Sequence, residues 1–175
     1  MYQKQLRRLS AATDRRRIYM ASDYSHDISA AIEGFLNEDE WNFEPVDENG
    51  VIRTGVSLRS KLKNAKIFFL IKSDAYSIIS TISVGADEES MQRTAEFITR
   101  ANYGLTHGNF EMDFSDGSIR FKTSLLCADT VPSYEQIRGT LHINILMLER
   151  YGNALLEVIF GVKTPEEAVE EAEKN

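Results

Sequence analysis

The chain has 175 residues, 42% of them hydrophobic and 27% charged, with a formal net charge of −7. That size and composition suit one globular domain with its own core, and the acidic balance argues against general nucleic-acid binding, which requires a basic surface. Cys127 is the only cysteine, which excludes an internal disulfide, and no apolar run approaches the ~18 residues of a membrane-spanning helix, so a cytoplasmic protein is expected.

Residues 1–20 carry Lys4, Arg7, Arg8, Arg15, Arg16 and Arg17 against one acid, Asp14. This leader lacks the apolar core of a secretory signal. It reads as a solvated leader or as an arm for an anionic partner. The domain proper is expected over 21–162. Ser25 can cap a first helix with Ile28, Ala31, Ile32 and Phe35 at helical spacing, ending near Asn37. Trp41 to Val46 predicts a strand, which Pro45 confines to an edge, and Trp41 reads as a packing residue rather than a ligand platform. Asp47-Glu48-Asn49-Gly50 is a turn, and Val51 to Leu58 is the return strand. After a basic link, Arg59 to Asn64, the run Ala65 to Lys72 is apolar on both faces. That marks a central strand or one docked on a partner. Tyr76 to Val84 is the next strand, with Ile78, Ile82 and Val84 on one side.

Asp87-Glu88-Glu89-Ser90 opens a second helix, with Met91, Ala95, Ile98 and Ala101 on its inner stripe. Asn102 is expected to help close it through its side chain, with Gly104 as a left-handed terminal residue. Asp116-Gly117, flanked by alternating apolar residues, predicts a β-hairpin. A two-residue loop there places Phe114 opposite Ile119, Asp113 opposite Arg120, Met112 opposite Phe121 and Glu111 opposite Lys122. One face is then apolar and the other carries opposite-charge pairs. The last long helix spans Ser133 to Phe160. Ser133 and Gln136 resemble a capping box, and Ile137, Leu141, Ile145, Leu148, Leu155 and Ile159 form the core stripe. Gly152 is a weak point within it and Gly161 its stop. Thr164-Pro165-Glu166-Glu167 starts a short acidic helix in 163–175. The fold class is α+β, an antiparallel sheet with packed helices in the order α-β-β-β-β-α-β-β-α plus the terminal helix.

Asn102-Tyr103, Gly108, Phe110 with Asp113, and Arg120-Phe121 form a pattern that resembles the core of the YbjN family of bacterial proteins. The resemblance extends from about Ile28 to Gly161. It implies a fold similar to type III secretion chaperones and a role as a sensory-transduction regulator, and it supplies no catalytic residue.

The search for chemistry returns little. His26, His107 and His142 share no metal-ligand spacing, and none of HExxH, CxxC, GxSxG, GxxxxGK[ST] or GxGxxG occurs. No metal or cofactor is expected. A Cys127–His107 pair is conceivable, but nothing nearby lowers the thiol pKa or orients the pair. Glu111 and Asp113 are better explained by ion pairs with Lys122 and Arg120 than as catalytic carboxylates. The expected function is a non-enzymatic, chaperone-like regulatory module that binds a protein or peptide, a second copy of itself included. One alternative is a regulator whose basic arm contacts nucleic acid or an acidic partner. The other is an enzyme using Cys127 or a Glu/Asp base. Helices sufficient for one sheet face leave apolar surplus on two elements. The candidate partner contacts are therefore Ile67, Phe68, Phe69, Leu70 and Ile71 on the central strand, and Leu146, Met147, Leu156 and Phe160 on the long helix.

Overall fold

The computed structural model describes residues 24–174. The basic leader expected over 1–20 lies outside them. The elements in chain order are α1 (His26–Glu38), β1 (Phe43–Glu44), β2 (Val51–Ser57), β3 (Asn64–Ile71), β4 (Ala75–Thr81), α2 (Met91–Tyr103), β5 (Asn109–Met112), β6 (Ile119–Leu126), α3 (Tyr134–Ile159) and α4 (Pro165–Lys174). This is the α+β order expected from the sequence. The six strands form one antiparallel sheet in the order β1-β2-β3-β4-β6-β5.

Period-two alternation sends Ile67, Phe69 and Ile71 of β3 to one face with Ile52, Tyr76, Ile78 and Phe121. The helices cover that face in two clusters. In one, Ile28, Ile32, Phe35 and Leu36 of α1 meet Phe69, Tyr76 and Ile78, together with Ile137 and Leu141 of α3. In the other, Phe97 of α2 and Ala168 of α4 meet Phe110, Phe121, Tyr151 and Leu155. Each such buried Ile, Leu or Phe side chain contributes about 1.5–3 kcal/mol. The 26-residue α3 links the clusters. It starts on the capping box of Ser133 and Gln136 and ends at Gly161 (φ 67°), where Val162 N–H reaches the Glu157 carbonyl at 2.7 Å.

Several local expectations are corrected. The hairpin loop is longer than two residues: β5 and β6 pair as Met112↔Ile119, Glu111↔Arg120, Phe110↔Phe121 and Asn109↔Lys122. Asp113 closes a wider turn, its carbonyl accepting from Gly117 N–H and its N–H reaching the Ser118 carbonyl. The register moved by two, so the paired side chains kept their faces, while Asp113 and Phe114 left the ladder for the turn, Phe114 standing 63% exposed. β1 keeps two of six expected residues: Pro45 has no N–H to donate, and Trp41 N–H is taken by the Leu36 carbonyl. β4 ends at Thr81, before Ile82 and Val84. In α2 the first turn is at Met91, because Asp87 instead accepts from Ser90 N–H and hydroxyl. Thr94 and Phe97, not Met91 and Ala95, join Ile98 and Ala101 inside. Gly104 is right-handed (φ −88°), and the left-handed glycine is Gly108 (φ 76°). Gly152 is a packing position, not a weak point: a Cβ there would lie 2.7 Å from Leu62 Cδ1.

Candidate functional site

The five candidate residues of β3 divide between the faces. Ile67, Phe69 and Ile71 are buried under α1 and α3 and offer no surface to a partner. Phe68 and Leu70 point the other way, half-buried, and belong to neither core cluster. On α3, Met147 and Leu156 are buried in the core, because the sheet, α2 and α4 together surround more than one stripe of this helix. Leu146 and Phe160 are exposed, at 45% and 70%.

No described helix covers the outer sheet face. One row across it runs Glu44, Arg53, Phe68, Ile79, Lys122 and Asn109. Ile79 is nonetheless buried between Phe68 and Lys122. Its apolar centre is rimmed by ion pairs. Arg53 meets Asp47 at 2.7 Å, and Glu111 holds Arg120 at 2.6 Å and Lys122 at 3.5 Å. Burial acts to raise the Glu111 carboxyl, but hydrogen bonds from Arg120 and Asn109 and the two cationic charges outweigh it and hold the group below its ordinary value. The Glu111–Lys122 attraction expected from sequence is therefore present, though diagonal, while the directly opposite partner is Arg120.

Asn102 does something the sequence reading missed. Its side chain does not close α2. Instead its Nδ2 donates to the Phe110 carbonyl at 3.0 Å, and its Oδ1 accepts from Phe110 N–H at 2.8 Å. One amide thus stands in for a neighbouring strand along the outer edge of β5. The adjacent Tyr103 is almost wholly exposed. The available signal was Asn at a helix end followed eight residues later by a strand, which is not distinctive in one sequence.

Little supports catalysis. Cys127 is buried, and burial, with the charge of Asp74, pushes its thiol pKa up. That is opposite to what a nucleophilic thiolate needs. His107 lines a groove with Thr123 and Gln136. Among the described residues no three His, Cys, Asp or Glu side chains cluster to hold a metal ion. No described helix is long and apolar enough to cross a membrane.

The fold and its faces define a small α+β domain with one sheet face under helices and the other open. The chain belongs to the YbjN family, whose model, described as "Putative bacterial sensory transduction regulator", matches residues 29–157. Among solved structures, YbjN from E. coli, described as a putative transcription regulator, is similar with a TM-score of 0.51 and 14% identity, covering 72% of this chain and 91% of its own. It shows the same fold. A chain of the ExsC–ExsE complex is similar with a TM-score of 0.49 and 17% identity, covering 74% of this chain and 92% of its own. No curated protein matches the chain in sequence.

Proposed function

We propose that this protein is a non-enzymatic regulatory module that acts by holding a protein or peptide partner. The observation that carries the reading is the one-sided sheet: Phe68 and Leu70 stand on a face that no described element covers. Membership of a family described as regulatory supports it, and the raised thiol of Cys127 weakens the catalytic alternative. The proposed contact residues are Phe68 and Leu70, with Leu146 and Phe160 as a second patch at α3. A photo-crosslinking amino acid placed at each of the four positions in living cells tests this. Crosslinks to one discrete protein from position 68 or 70 are expected. Crosslinking at no position above that of a substitution at Glu48, an exposed turn residue, would remove the reading. A product of twice the chain mass would identify a second copy as the partner.

A further inference from the structure

β6 is eight residues long, but β5 pairs with only its first half, Ile119 to Lys122. The chain leaves the β5 line at Gly108, whose left-handed backbone turns it away. The remaining edge of β6, Thr123 to Leu126, has no described strand beside it.

The direction of its backbone groups follows from Asn102. Both N–H and C=O of Phe110 face the Asn102 amide, so neither faces β6. Phe110↔Phe121 is then a non-hydrogen-bonded pair, and Arg120 and Lys122 turn their backbone groups toward β5. By alternation Ser124 and Leu126 do the same. Cys127 agrees, since its N–H points to the β4 side and reaches the Asp74 carbonyl at 2.8 Å. Two N–H and two C=O groups therefore face outward with no backbone partner among the described residues, on residues that are exposed. Asn102 blocks the edge of β5 with its side chain, and no described element covers this edge of β6.

Beside the edge lies a groove of about 530 Å³ between the 106–108 link and the first half of α3. Gly139 lines it. A Cβ at Gly139 would meet nothing within 4 Å, so internal packing gives no reason for a glycine inside this helix, which costs about 0.5–1 kcal/mol relative to alanine. A glycine facing a groove is suited to close approach of another backbone.

We propose that the β6 edge takes an extended polypeptide segment of a partner protein as an added strand collinear with β5, its inward side chains small and uncharged where they face Gly139. This rests on the partner-binding reading above and names a site for it. The chemistry of the edge selects the occupant. Alternating outward N–H and C=O groups on Ser124 and Leu126 match an extended backbone. Four residues of edge fall far below the ~800 Å² per partner that a stable folded dimer needs, which disfavours a second copy. The one carboxylate in the groove, Glu135, is already paired with Arg138 at 2.6 Å, which favours an uncharged segment.

The test uses the full-length chain and a displayed library of random dodecapeptides. Peptides selected on the wild type should bind Ser124→Pro and Gly139→Leu at least tenfold more weakly and Glu48→Ala, at an exposed turn, equally well. Proline at 124 removes the outward N–H and the exposed hydroxyl contact with Ser77 (2.8 Å) but no backbone bond to β4, so the variant should fold, as its circular dichroism will show. Leu125→Pro, which removes a bond to β4, should not. Selected peptides that bind Ser124→Pro undiminished but lose Phe68→Ser would overturn the edge site and leave the partner-binding reading standing. Recovery of no peptide would overturn the edge site as well. In the peptide-free chain, the amides of Ser124 and Leu126 should exchange freely. Protection that grows with protein concentration would assign the edge to a second copy. Protection independent of concentration would assign it to the chain's own residues. Either overturns the proposal.

Discussion

Two bonds from one amide make Asn102 a sharp test at the scale of the residue. Asn102→Ala should destabilise the domain by about 1–3 kcal/mol in urea unfolding, since a hydrogen bond contributes ~0.5–1.5 kcal/mol and the Phe110 groups lose their partner. Asn102→Asp is the more informative variant. A carboxylate still accepts from Phe110 N–H but repels its carbonyl, so it should be no better than alanine; full stability for Asp would show that the accepted bond alone matters. Gly117→Val should be severe for a different reason. Gly117 sits at φ 70°, and a Cβ there would lie 1.8 Å from the Ala86 carbonyl oxygen, so both backbone strain and collision oppose it. An unchanged melting temperature would refute the turn geometry. Tyr76 supplies a pH signature. Burial pushes its hydroxyl pKa up to about 12, against a partial lowering by Thr140. The folded state holds this proton more tightly than the unfolded chain, so the stabilisation is full below pH ~10 and is lost as pH rises toward 12. Tyr76→Phe should flatten that alkaline fall, as measured by urea unfolding across pH 9–12.

Within α3 the two glycines make opposite predictions for one substitution. Gly139→Ala adds a methyl group to open space and removes the entropic cost of glycine, so it should stabilise the fold by about 0.5–1 kcal/mol. Gly152→Ala drives a Cβ to 2.7 Å from Leu62 Cδ1 and 3.0 Å from Ser60 Oγ. It should destabilise the fold, because the 58–63 loop is pinned there: Glu149 accepts from the N–H groups of Arg59 and Ser60, and Asn153 from Lys61. Leu62 therefore cannot simply swing away. Thermal unfolding of the two variants side by side measures the difference, and shifts of the same sign would show that the helix is not seated as described.

At the scale of the whole molecule, element order and sheet class were legible because they rest on periodicity: Phe110, Met112 and Phe121 carry a period of two, and Ile137, Leu141 and Leu148 a helical one. The hairpin register was legible only to its parity, since Asp116-Gly117 marks a turn without fixing how many residues close it. The surface was less legible still. Ile67 and Phe68 look alike in sequence, and only the placement of α1 and α3 decides which is core. Met147 and Leu156 were likewise hidden by α2 and α4, whose docking no local pattern encodes. That division yields a decisive pair of variants. Phe69 is fully buried against Ile52 and Ile78, and truncating a buried Phe costs ~3–5 kcal/mol. Phe69→Ser should therefore unfold the domain or nearly so. Phe68, one residue earlier, keeps water on its exposed side, and Phe68→Ser should cost less than about 1.5 kcal/mol while removing the crosslink to a partner. If Phe68→Ser proved as damaging as Phe69→Ser in urea unfolding, the outer face would be part of a core. The open-face reading of this protein would then have no surface to stand on.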